Sequence, residues 1–220
     1  MTSATTPPSA ADRNGEIDDR RTLSELYALL AKCFVHPDEP FHRAVRSGEF
    51  ETAVRDRLER LDSDSTPSPA PSAEESHADL RRAYLQTFEG FDGPSAPPVE
   101  SVYEPWWDGR ERELLSGPAE ADAKRRFEAI DADRPDAYPA DHLAVLLEYA
   151  SLALEAERDD EYADFHARHF DWLSAFADRV TETADAPFYE WAVEVLEVAV
   201  LTAKRRYLDG GTAFDRGEPG

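Results

Sequence analysis

Three groups of residues in this chain have the types and spacing to do chemistry. The first is Pro97-Pro98-Val99-Glu100-Ser101-Val102-Tyr103-Glu104-Pro105-Trp106-Trp107, where prolines stiffen a stretch that carries a tyrosine and two adjacent tryptophans. A proline-pinned aromatic loop either plugs a gap in a core or offers a low-entropy platform to another chain's apolar segment. The second is Tyr138-Pro139-Ala140-Asp141-His142-Leu143-Ala144, which runs into Val145-Leu146-Leu147-Glu148-Tyr149. Asp141 suits the first turn or cap of a helix, where a carboxylate accepts amide N–H groups and meets the positive end of the dipole. His142 beside it suits a packed, hydrogen-bonded side chain. The third is His166 and His169, three residues apart on one helix, with Glu161 or Asp164 near them and His142 available from the preceding helix. Such a set could hold a metal in a helical bundle and make the chain a metal-binding enzyme. No Glu-x-x-His pair recurs on two helices, however, and neither a Gly-rich phosphate loop nor a Ser/His/Asp nucleophile motif stands out.

These residues need elements to hold them. Leu23, Leu26, Tyr27, Leu30 and Phe34 recur at three and four, which predicts an amphipathic helix that starts near Arg21 and stops at His36-Pro37. A more charged helix is predicted from Phe41 or Glu51 to Leu61, followed by a Pro/Ser connection over 63–76 that has no regular structure. Leu80, Tyr84 and Phe88 place a helix over 79–88, ended by Glu89-Gly90, and 91–107 reads as loop. Short helices are predicted at 110–115 and 119–130. Leu143, Leu146, Leu147, Ala150 and Leu154 then form the stripe of the strongest core helix, with a start at 138–141. A helix over 161–180 follows, and one over 187–207 closes the chain, with Glu190, Glu194 and Glu197 wet and Phe188, Trp191, Val195, Val198 and Ala199 inward. No run alternates with period two, and no repeat appears. The predicted fold is all-α, one globular bundle of seven to nine helices over 21–209, with disordered tails at 1–20 and 210–220.

Composition bounds the function. Lys plus Arg number 24 against 47 Asp plus Glu, a formal charge of -23, which repels nucleic acids and anionic membranes. The basic side is almost all Arg, with Lys only at 32, 124 and 204, and the acidic excess is spread along the chain. This is the pattern of a halophile's solvated surface. In about 1 M salt, surface charges are screened beyond roughly 3 Å, so contact chemistry has to carry any specificity. The single Cys33 excludes an internal disulfide and a multi-cysteine metal site. The first twenty residues hold no apolar core of an export signal, and no run of apolar residues is long enough to span a bilayer. A cytoplasmic location without stable membrane insertion is expected.

Taken together, Leu80, Tyr84 and Phe88, then Gly93-Pro94, Pro97-Pro98 and Glu100-Ser101-Val102-Tyr103, and later Asp141-His142-Leu143-Ala144 with Leu147-Glu148-Tyr149, resemble the TorD/DmsD family. These are cytoplasmic chaperones for molybdenum-containing redox enzymes. The likeness covers roughly 21–208. It departs from the family pattern at Val99, where an aromatic is frequent, and at Leu146, where Glu is frequent. The resemblance implies a protein that is not an enzyme and has no cofactor of its own. It would bind the twin-arginine signal peptide of the apo form of a molybdopterin-dependent reductase subunit until cofactor insertion is complete. The client's acceptor could be dimethyl sulfoxide, trimethylamine N-oxide or nitrate, and monomer and dimer are both open. Carried over by position, the peptide-binding residues would be Trp106 or Trp107 with Tyr103, and Asp141 with His142. Two guanidinium groups followed by an apolar stretch need carboxylates beside an apolar groove, which makes Glu100 and Asp141 the acceptors and the aromatic residues the cover. A general protein-interaction scaffold would use the same groove for a folded partner.

Overall fold

A computed structural model describes residues 10–72, 76–90, 94–103, 117–130, 137–183 and 185–209 of the chain, with side chains from residue 18 onward. Among them are nine α-helices: α1 (Ala10–Ala31), α2 (Glu39–Ser47), α3 (Glu49–Arg60), α4 (His77–Tyr84), α5 (Pro118–Ala129), α6 (Leu143–Glu155), α7 (Asp159–His169), α8 (Leu173–Thr183) and α9 (Pro187–Lys204). Among the described residues there is no strand, and one isolated antiparallel bridge joins Val99 to His142. The fold is all-α. The helix predicted at 110–115, the tail at 210–220, and Trp106 and Trp107 lie outside the described residues.

α6 is the axis of the bundle because its sequence is apolar on nearly every side. Leu143, Leu146, Leu147, Ala150 and Leu154 are buried as the stripe predicts, but so are Ala144, Val145, Tyr149, Ser151 and Ala153. A helix that is apolar all round belongs in the centre of a domain. α1 packs along it over most of its length. At the crossing the serines interlock: the Ser24 and Ser151 hydroxyls lie 2.8 Å apart, and Ser151 also donates to the Ser24 carbonyl at 3.1 Å. Small polar residues allow close approach there while leaving no hydroxyl unsatisfied.

Several boundaries fall elsewhere than the periodicity puts them. α1 begins at Ala10, inside the stretch read as a tail, and Asp19 within it pairs with Arg206 at 2.5 Å beyond α9. The charged helix before Leu61 is two helices, because Gly48 adopts φ +79 and turns the chain between α2 and α3. The helix predicted over 161–180 is broken at Phe170–Trp172. Trp172 is fully buried there, and its indole N–H donates to the His169 carbonyl at 2.8 Å, satisfying the end of α7. The last helix holds its predicted faces: Phe188, Trp191, Val195 and Ala199 are buried and Glu190 and Glu197 exposed, with Glu194 and Val198 between. Residues 63–72 have no regular structure, as expected, yet they form a fastened strap. The Trp191 indole donates to the Ser68 carbonyl at 2.9 Å, and the Ala70 amide donates to Glu51 at 3.0 Å.

Candidate functional site

The start of α6 is where the loop and the Asp-His pair meet. His142, not Asp141, is the N-cap of α6: its Nδ1 accepts the Ala144 amide at 3.2 Å. Burial pushes the His142 imidazole down to about 3, helped by the nearby His36, so the ring is neutral and its Nδ1 is free to accept. Asp141, one residue earlier, turns its carboxylate to the loop and accepts the Ser101 amide at 3.1 Å. Its second oxygen has no hydrogen-bond partner among the described residues. Backbone bonds complete the seam, with the Glu100 amide donating to the Asp141 carbonyl at 3.0 Å and the Leu143 amide donating to the Pro98 carbonyl at 2.8 Å. The prolines matter here, since Pro98 cannot donate but its carbonyl takes an otherwise orphaned N–H at the helix start.

Beneath the loop lies a chain of ionisable side chains. Glu100 and His169 are both fully buried, and Glu100 Oε2 lies 2.7 Å from His169 Nδ1. The other ring nitrogen lies 3.0 Å from Asp122 of α5, which is bonded to Arg126 at 2.6 Å, and Arg126 reaches Asp164 of α7 at 2.5 Å. Burial alone would raise the Asp122 carboxyl, but the bonds from Arg126 and His169 outweigh it and hold it below the usual carboxylate range. Tyr103 completes the underside of the loop, stacked on Trp172 with ring centroids 4.9 Å apart and its hydroxyl donating to the Pro97 carbonyl at 3.1 Å.

On the other side of the α6 start a groove of about 390 Å³ opens between α1 and α6. Ala28, Val35, Tyr138, Ala144, Val145 and Leu152 give it an apolar lining, with Lys32 and Glu148 as its charged groups. Burial raises the Glu148 carboxyl, and no cation among the described residues is paired with it. Tyr138 covers the His142 ring at a centroid distance of 4.4 Å, so the cap and the groove share a wall.

The structure thus brings together four of the residues singled out by sequence, in roles the spacing did not specify. Glu100 and Asp141, expected to accept guanidinium groups, are both fully buried and engaged with His169 and the Ser101 amide. A helix that starts at Leu143 makes residue 142 its cap, which frees Asp141 to hold the loop. Tyr103 and His142 are buried in the same seam. Trp106 and Trp107 fall outside the described residues. His166 and His169 do not converge on a metal. His166 Nε2 bonds the Val200 carbonyl at 3.0 Å while His169 faces Glu100 and Asp122, and no metal-ligating group of three or more is found among the described residues. Sequence reasoning missed Asp122, whose partner is 47 residues away. It gave no role to Glu148, which it met only as part of Leu147-Glu148-Tyr149, although one acid inside an apolar run was a visible signal.

These features define an all-α protein whose buried polar groups serve architecture, fixing a loop and a helix start beside an open apolar groove. The chain belongs to the nitrate reductase delta subunit family, whose model matches residues 47–183, in keeping with its TorD/DmsD resemblance. It is 32% identical over 146 residues to the dimethyl sulfide dehydrogenase assembly chaperone protein of Rhodovulum sulfidophilum, a match covering 62% of this chain and 55% of that one. The chain therefore spans about half the length of this curated relative. A solved structure from Archaeoglobus fulgidus, described as that of a redox enzyme maturation protein, aligns over 93% of this chain and 98% of that one, with a TM-score of 0.46 and 19% identity.

Proposed function

We propose that this chain is a cytoplasmic assembly chaperone, not an enzyme, for a molybdenum-containing reductase, and that it holds the client's twin-arginine signal peptide in the groove between α1 and α6. Family membership and the assembly-chaperone relative support the first part. The observation that carries the second is Glu148, a half-buried carboxylate with no cation paired to it among the described residues, in a groove that is otherwise apolar but for Lys32 and Ser151. Leaving a carboxylate partly desolvated costs stability, and a guanidinium would offset that cost through paired N–H···O bonds. The apolar stretch after the arginines would lie along Ala28, Val35, Val145 and Leu152. Buried Glu100 and Asp141 act one step back, by fixing the loop on the start of α6, the helix that supplies Ala144, Val145 and Glu148 to the groove.

Titration of an isolated twin-arginine signal peptide tests this reading. An Arg-to-carboxylate contact in a partly dry groove is worth about 1.5 to 3 kcal/mol, which is roughly ten- to hundredfold in affinity. Replacing the two arginines by glutamine should cost that much, and Glu148→Gln should cost the same in the protein. The Gln variant should unfold no more easily than the parent, because a neutral amide suffers less from burial than a carboxylate. Equal affinity for the Arg and Gln peptides would favour a general interaction scaffold instead.

A further inference from the structure

Glu100, His169 and Asp122 join three elements that the sequence keeps far apart: the loop over 97–103, α7 and α5. The loop lies on the α6 start through the Pro98 carbonyl, which accepts the Leu143 amide, and through the Glu100 and Ser101 amides, which donate to the Asp141 carbonyl and carboxylate. From below, Glu100 ties the same turn to α7, since Ser101 and Val102 follow it in one helical turn, Glu100–Val102. His169 itself cannot drift. Phe165 stacks on its ring at 4.7 Å, and its carbonyl is held by Trp172. Asp122 fixes the far nitrogen and is in turn held by Arg126, which Asp164 anchors from α7.

A buried network of ionisable groups of this kind is a poor way to gain stability. Desolvating the charges costs about as much as their attraction returns, and apolar side chains of the same size would pack as well. What such a network does well is fix one arrangement among several of similar packing energy, because every alternative leaves a buried charge unpaired. We propose that His169 is a positioning residue for the α6 groove. By holding Glu100 it sets the height of the 97–103 loop on the Asp141-His142 seam, and through that seam the orientation of the His142 cap and of Tyr138 on the groove wall. The link to peptide binding rests on the reading of the groove given above; the effect on the loop does not.

Two amides separate the two faces of the imidazole. In His169→Asn the side-chain NH2 stands near the place of Nδ1 and can still donate to Glu100; in His169→Gln it stands near Nε2 and reaches Asp122 instead. Hydrogen exchange of the free protein, followed at the Glu100 and Ser101 amides, should show protection kept in the Asn variant and lost in the Gln variant, with the α6 amides beyond its first turn unchanged in both. Peptide affinity should follow the same order, falling about tenfold for Gln and less than threefold for Asn, the scale of one hydrogen bond to a charged group. A merely structural histidine would rank both readouts by unfolding free energy alone, and that result overturns the proposal. So does wild-type protection of the loop in both variants. If neither variant folds, Glu100→Gln, which keeps the volume, should lose the same loop protection, and its full retention would likewise count against the assignment. Should the loop respond as described while wild-type protein takes up no peptide, the groove reading falls and the positioning of the loop by His169 stands.

Discussion

At the scale of single residues, the decisive contrast is between His142 and Asp141, neighbours with opposite duties. His142 caps α6 as a neutral ring, and burial holds its folded value at about 3 against about 6.5 in the unfolded chain. The unfolded state therefore binds a proton between those limits that the folded state refuses. Stability from this group is complete above pH 6.5 and is lost as pH falls toward 3. His142→Asn, which can still accept the Ala144 amide, removes the titration and should flatten that part of the profile. Urea unfolding of both proteins at pH 7.5 and pH 4.5 reads the difference, and an unchanged slope would mean the ring is not buried neutral. Asp141 answers to a different test. Asp141→Asn keeps an acceptor for the Ser101 amide and should change unfolding free energy by less than about 1 kcal/mol, whereas Asp141→Ala strands a buried N–H and should cost about 1 to 3 kcal/mol. Neither duty could be assigned from the pair's adjacency, because it depends on which residue begins the helix, and that is set by the Pro98 carbonyl far away in the chain.

Elements were legible wherever a repeating apolar stripe or a Pro/Ser-rich run marks them and illegible where one side chain or one left-handed residue decides an end. The stripe of α6, the wet and dry faces of α9 and the Pro/Ser strap all follow from local pattern. The break between α7 and α8 does not, since it rests on an indole bonding back to a carbonyl three residues earlier. The break between α2 and α3 rests on one left-handed residue, and Gly48 supplies it. A methyl group there would meet nothing within 4 Å, so the cost of Gly48→Ala is backbone strain alone. That strain should lower stability by about 1 kcal/mol, with Gly48→Asn falling between, because asparagine tolerates the left-handed region better than alanine. Thermal unfolding of the three proteins in one buffer orders them, and an Ala variant as stable as the parent would show that the turn relaxes. The clasp was the least legible part, for its members come from three elements: Glu100 and His169 invited other duties in their own segments, and Asp122 looks there like an ordinary surface acid.

For the molecule as a whole, the question is what an excess of negative charge does to a fold that also relies on ion pairs. Pairs such as Arg20 with Asp159 and Asp19 with Arg206 fasten the first helix to α7 and to the turn after α9. Deleting 1–19 should therefore lower the melting midpoint slightly, by the loss of a part-exposed pair worth up to about 1 kcal/mol and of the helical turns before Arg20. Salt weakens such pairs, but it also weakens repulsion, and the two effects compete. With 24 basic residues against 47 acidic ones, nearly half of the acids are left without a cationic partner of their own even if every Lys and Arg takes one. Glu197 carries the mark of this, its carboxyl raised by burial and by Asp178 and Glu194 beside it. Screening at about 1 M reaches down to about 3 Å, so it removes nearly all of the long-range repulsion while leaving contact pairs partly intact. The midpoint should consequently rise with added KCl and continue to rise into the molar range, the behaviour of a surface adapted to high salt. Calorimetric melts from low to multi-molar KCl measure it. A falling midpoint would mean that the ion pairs outweigh the repulsion, and a flat one that the acidic residues are too far apart to matter to folding, leaving the charge to act on the approach of a cationic peptide alone.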